Sequence, residues 1–242
     1  MDEAVAGADA PPAQTHALTR EFLRSGGLEE FVRRANPQAK VLTEAERKAS
    51  LQAILAQRPD RGRGVLVFAY GSLIWNPTIH LVGRELATSH GWHRSFCLAT
   101  KGGRGDEATP GMMLGLEQGG TCTGAVLRVD EDAIEEELDI LWRREMVSEG
   151  YVPRWLRVTN AHNAPLGHAI GFTINPAGPN YEGGLPHQEL IRRLAHARGR
   201  LGTAADYLFN TCEGLRNLGI VDPMLEELAL AVVAEHQKGA GI

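Results

Sequence analysis

The stretch that decides the fold is Val65-Leu66-Val67-Phe68-Ala69-Tyr70-Gly71-Ser72-Leu73-Ile74-Trp75, VLVFAYGSLIW. Its opening is an unbroken apolar run of strand type, heading for a core. Tyr70-Gly71-Ser72 then interrupts it where a strand would simply continue. Two readings are open. The glycine marks a bulge or tight turn that redirects the strand. Alternatively it turns with positive φ, so that successive N–H groups face one side and form a nest for a carboxylate or a developing oxyanion, walled by Tyr70 and Trp75.

Outward from this stretch, short β-type runs recur at 65–70, about 81–87, 93–100, 111–117, 121–129, 152–159 and 167–174. EQGG (117–120) and NAHNAP (160–165) supply turn signals between them, so hairpins in a mainly antiparallel sheet or small barrel are expected. Helical patterns interrupt at about 131–147 and take over at 187–199, 203–217 and 223–237. Thr203 with Asp206 opens the second of these three, and Pro223 begins the third. Strands followed by helices read as α+β. Ahead of residue 65 lie a helical arm (18–57), with a break at Gly26-Gly27 and a Thr43/Glu46 capping box, and a polar linker, RPDRGRG (58–64), taken as the domain boundary. Residues 1–17, rich in Ala, Asp and Pro, read as a flexible tail.

Composition narrows the function classes. The 242 residues are 43% apolar and 23% charged, ordinary for a globular chain. A net charge of −5 argues against nucleic acid or an acidic membrane surface as partner. No run reaches the roughly 18 apolar residues of a membrane span, and the N-terminus lacks the features of a secretory signal. Cys97, Cys122 and Cys212 are too scattered for a disulfide framework or zinc site, and reduced thiols in a cytoplasm are expected.

Familiar catalytic motifs are missing. There is neither G-x-G-x-x-G nor a P-loop, so dinucleotide and nucleotide readings have no anchor. Ser72 lacks the G-x-S-x-G frame because Tyr70 stands where the first glycine belongs. His80, His90 and His93 form no H-E-x-x-H arrangement. The segment 130–147, DEDAIEEELDILWRREMV, is more informative. At roughly 100° per residue, Ile134, Leu138 and Leu141 make a core-facing stripe, and Glu145 returns to within about 20° of Ile134. Glu136 points away, with Glu135 and Glu137 on the flanks. An inward Glu145 either pairs with Arg143, Arg144 or another base, or serves as a carboxylate of raised pKa in a partly dry cleft.

YGSLIW (70–75) and LWRREM (141–146), with GWHRSFCLAT (91–100), TPGMMLGLEQGG (109–120) and GTAADYLFNT (202–211) in the same order, resemble the ChaC-type γ-glutamylcyclotransferase family over about 65–235. The resemblance implies a γ-glutamylcyclotransferase-like small mixed β-barrel with flanking helices, here preceded by the arm, and no metal or organic cofactor. It implies conversion of glutathione into 5-oxoproline and cysteinylglycine. Its substrate loop falls on Tyr70, Gly71, Ser72 and Leu73, its catalytic glutamate on Glu145, and its substrate-contacting tyrosine on Tyr207. Arg94 is a further carry-over as a substrate contact. Arg144-Glu145 is followed here by MVSEGY rather than a close Gly-Gly-Tyr, so Tyr151 departs from the family pattern. The alternatives are cyclisation of other γ-glutamyl compounds, a non-catalytic regulator binding a γ-glutamyl ligand or a cation transporter, and a Ser72 amidase.

Overall fold

The computed structural model describes residues 18–239; the expected tail, 1–17, lies outside them. Five strands, β1 (Val65–Ala69), β2 (Gly83–Thr100), β3 (Gly111–Val129), β4 (Tyr151–Thr159) and β5 (Pro165–Ile174), close a barrel in the order β1-β3-β2-β4-β5. β1 pairs antiparallel with β3, from Val65 opposite Val129 to Ala69 opposite Ala125, and parallel with β5 at Leu66–Ala169 and Val67–Ile170. Flanked on both edges and covered on both faces, all five of its residues are buried, which is why it shows no polar alternation.

Two strand pairs read as separate in the sequence are single long strands. The runs at about 81–87 and at 93–100 fall on β2, which starts at Gly83, and those at 111–117 and 121–129 on β3. The register slips between His90 and Trp92 opposite Gln118 and Thr121. Gly91, Gly119 and Gly120 all have positive φ at this slip. The expected EQGG turn is therefore a bulge: its glycines bend a continuous ribbon instead of ending it. The bend lets a hairpin of 18- and 19-residue strands wrap most of a small barrel.

Helix α4 (Ile134–Glu145) buries Ile134, Leu138 and Leu141, as its periodicity predicts. Trp142 packs edge-on against Phe172 of β5 at 5.2 Å. The arm forms α1 (Arg20–Arg24), α2 (Gly27–Ala35) and α3 (Glu44–Ala56), and all three contact α4. α4 is thus sandwiched between barrel and arm. Glu137, expected on a flank, is only 3% exposed and accepts from Arg20 at 2.8 Å and from the His80 N–H at 2.8 Å. Thr43 and Glu46 close the expected capping box at the start of α3. The linker is tied down: Arg58 grips Glu131 with two bonds, 2.8 and 2.7 Å, and the Gly64 N–H adds a third at 2.8 Å.

After the barrel come α5 (His187–His196), α6 (Ala204–Arg216) and α7 (Pro223–Gly239), mutually packed. The Thr203/Asp206 capping box opens α6 as expected. α6 lies against a short 3-10 turn at Ser72–Ile74, just after β1.

Candidate active site

The Tyr70–Leu73 loop and the last turn of α4 meet at the end of the barrel. Between them lies a cleft of about 270 Å³, lined by Tyr70, Gly71, Ser72, Leu73, Leu114, Glu145, Tyr151, Phe172 and Tyr207. Five of the sequence candidates, the four loop residues and Tyr207, thus share one cleft with Glu145.

Gly71 is required for a reason other than the expected one. Its φ is −142°, so no left-handed turn is made there. Space is the constraint: a Cβ at this position would stand 2.9 Å from the Tyr207 hydroxyl. The loop continues into the 3-10 turn, whose carbonyls at Gly71 and Ser72 accept from Ile74 and Asn76. The first-turn N–H groups of Ser72 and Leu73 have no acceptor within that turn, as at any helix start.

Glu145 follows from the helix period. Its side chain is 13% exposed, and that exposure opens into the cleft. Burial raises its pKa; Arg144, whose Nε lies 2.9 Å from Oε1, opposes the rise without cancelling it. The carboxylate thus pairs with Arg144 and also lines the cleft. Arg143 turns elsewhere, to Asp139 at 2.7 Å. Arg144 also donates to Ser72 Oγ at 2.9 Å and to the Asn76 carbonyl. One guanidinium thereby fixes the loop and the carboxylate relative to each other.

Three tyrosines complete the walls. Tyr70 donates to the Phe172 carbonyl at 2.7 Å and Tyr151 to that of Leu114 at 2.8 Å. Burial holds both phenols well above their ordinary pKa and pushes Tyr207 up to about 12. All three stay neutral donors at physiological pH. Tyr151 reaches the cleft despite the altered spacing after Glu145, because β4 starts at that residue.

Arg94 is not brought to the cleft. It donates to the carbonyls of Tyr70, at 2.8 Å, and Thr123, and pairs with Asp222 at 3.0 Å. It buttresses the loop from behind. Arg104 is the residue that sequence reasoning missed. It sits in the β2–β3 connection, in a stretch to which no sequence motif is assigned. Its guanidinium lies 5.4 Å from the Tyr207 ring centroid and 5.9 Å from that of Trp75, and donates to the Thr203 carbonyl at 3.0 Å. Among the described residues it has no carboxylate within ion-pair distance. It lines a hollow of about 870 Å³ that shares Ser72 and Tyr207 with the cleft.

No described histidine or cysteine lines the cleft, and burial pushes the Cys97 thiol up to about 11. Among the described residues no cluster of three or more His, Cys, Asp or Glu is placed to hold a metal. The arrangement offers a carboxylate of raised pKa and the neutral Tyr207 hydroxyl beside the Tyr70–Leu73 loop, the Tyr70 and Tyr151 protons being committed to backbone carbonyls. That set suits a reaction whose nucleophile is carried by the substrate.

Comparison with known proteins agrees with this geometry. A model of the ChaC-like protein family matches residues 65–235. The chain is 39% identical over 222 residues to the glutathione-specific γ-glutamylcyclotransferase of Escherichia coli K12, covering 89% of this chain and 92% of that one. An alignment of that length reaches well into the arm. The zebrafish glutathione-specific γ-glutamylcyclotransferase 1 is 30% identical over 173 residues, covering 69% of this chain and 88% of its own. Among solved structures, a yeast γ-glutamyl cyclotransferase specific to glutathione superposes with a TM-score of 0.65 at 20% identity, over 72% of this chain and 97% of that one, so the fold is shared. Barrel, loop and helix-borne carboxylate, together with the match across 65–235, make this chain a member of the ChaC-like protein family.

Proposed function

We propose that the protein is a glutathione-specific γ-glutamylcyclotransferase, which converts glutathione into 5-oxoproline and cysteinylglycine. The observation that carries this reading is Glu145, a carboxylate of raised pKa that shares a cleft with the Tyr70–Leu73 loop, where no described cysteine or histidine lies. The Escherichia coli relative that carries this activity in its name aligns with 89% of this chain, and the zebrafish one with 69%.

The γ-glutamyl group enters the cleft with its γ-carbonyl oxygen toward the Ser72 and Leu73 N–H groups, which stabilise charge as it develops. The substrate's own α-amine is held over the γ-carbon and closes a five-membered ring, so orientation supplies much of the acceleration. The amine must lose a proton and the departing cysteinyl nitrogen must gain one. Glu145 does both in turn. A free carboxylate near pKa 4.3 and an amine near 8 differ by about 5 kcal/mol, and burial of Glu145 narrows that gap. Tyr207 donates to the substrate, and Arg104 takes a carboxylate of it. Ser72 stays a hydroxyl partner of Arg144, which disfavours the amidase alternative. No described helix is long and apolar enough to cross a membrane, and three buried free thiols fit a reducing cytoplasm.

The test is purified protein with glutathione, products read by mass spectrometry. 5-Oxoproline and cysteinylglycine in equal amounts are expected. Free glutamate in place of 5-oxoproline would overturn the mechanism, and binding without turnover would leave a regulator. Faster turnover of a γ-glutamyl amine would displace glutathione as the substrate.

A further inference from the structure

Beyond Glu145 and Tyr151 the cleft opens into a second hollow of about 980 Å³, much larger than the 270 Å³ that would take the γ-glutamyl group. Its walls are mostly carbon: Leu18, Leu28, Phe31 and Val32 from the arm, with Met113 of β3 and Leu201. The Arg104 hollow joins it through Ser72, Met113 and Leu201, so the way out of the catalytic cleft forks into a cationic branch and an apolar branch.

The chemistry at Glu145 fixes what lies at the fork. The leaving nitrogen belongs to the cysteine of glutathione, so the cysteine Cα and its side chain start there. With the terminal carboxylate drawn to Arg104, the sulfur is left toward the apolar branch. A bare thiol fills almost none of that space. Resting on the reading above, we propose that the arm-lined branch receives an apolar substituent on this sulfur, so that the enzyme also cyclises S-substituted glutathione. The reaction balances as before: the α-amine nitrogen bonds to the γ-carbon, the amide C–N bond breaks, and one proton passes from the attacking to the leaving nitrogen. The thioether is untouched and the products are 5-oxoproline and the S-substituted cysteinylglycine.

The probe is S-hexylglutathione, assayed beside glutathione on the full-length protein. Its kcat/KM is expected within about tenfold of that for glutathione. Ala39→Trp and Val32→Trp, which narrow the branch from a loop and from α2, should each lower the conjugate's kcat/KM by about tenfold or more while glutathione changes little. Turnover of glutathione with none of the conjugate overturns this inference and leaves the proposed function standing. Conjugate turnover indifferent to both substitutions overturns the assignment of the branch. Turnover of neither substrate overturns both readings.

Discussion

At the residue scale everything turns on Glu145 and its surroundings. Replacing it by Gln keeps the shape and the Arg144 contact but removes the proton shuttle, so kcat should fall by about 10²–10⁴-fold with the circular dichroism spectrum intact. The same residue predicts a stability signature. Its folded pKa lies above the unfolded value of about 4.3, so its favourable contribution is complete below that pH and is lost as pH rises through the folded value. Glu145→Gln should therefore gain stability relative to wild type as pH climbs from 4 toward neutrality, measured by urea denaturation across that range. An unchanged difference would mean that the carboxylate titrates as if in water. Gly71 supplies an independent test. A methyl there would stand 2.9 Å from the Tyr207 hydroxyl, so that cleft-lining hydroxyl must shift. Gly71→Ala should lower kcat/KM by about tenfold or more, because the shifted hydroxyl is one that meets the substrate, together with about 1–3 kcal/mol of stability from overpacking.

At the scale of elements, α4 joins the chemistry to the arm. Glu145 lies on its barrel side, and Glu136 and Glu137 on its other side meet Arg20 and Arg24 of α1. Burial works against the ionised Glu137, yet the Arg20 bonds and the His80 N–H hold its pKa below the ordinary value. Its contribution is therefore present above about pH 4.3 and lost as pH falls through the lowered value. Arg20→Ala should cost about 1.5–3 kcal/mol at neutral pH, read from urea denaturation, and less at pH 3. The sequence made the inward stripe of α4 plain because a helix period needs only local information. It could not reveal that Glu137 is buried, because the burying surface comes from a helix 117 residues away. The bulge at Gly91 and Gly119 was hidden for a related reason: glycines that end strands and glycines that bend them look alike until the partner strand is known. Arg104 escaped for want of any period, whereas the loop at Tyr70–Leu73 was conspicuous by breaking one.

At the scale of the whole molecule, the polar linker at 58–64 marks a boundary in the sequence and leaves open whether the arm packs on the barrel; in the structure the arm packs on it. Two indoles bridge the supposed boundary: Trp142 of α4 donates to Ser50 Oγ at 3.2 Å and Trp155 of β4 to the Ile54 carbonyl at 2.8 Å, both acceptors on α3. A buried ion pair, Glu29–Arg47 at 2.7 Å, locks α2 to α3, with Arg143 of α4 at 3.8 Å from the same carboxylate. The arm also walls the large apolar hollow beside Glu145. Arm and barrel should therefore unfold as one cooperative unit. Tryptophan fluorescence, to which Trp142 and Trp155 at the arm–barrel seam contribute, and far-UV circular dichroism should give coincident denaturant transitions. A helical loss preceding the fluorescence change would instead mean an arm that detaches first. Arg47→Ala sharpens the test. It leaves Glu29 buried without its main partner, a change that costs about 3–5 kcal/mol in comparable sites. In a single cooperative unit the whole transition moves to lower denaturant with its slope unchanged. If the arm is separable, only an early, shallow helical phase moves and the barrel's midpoint stays where it was.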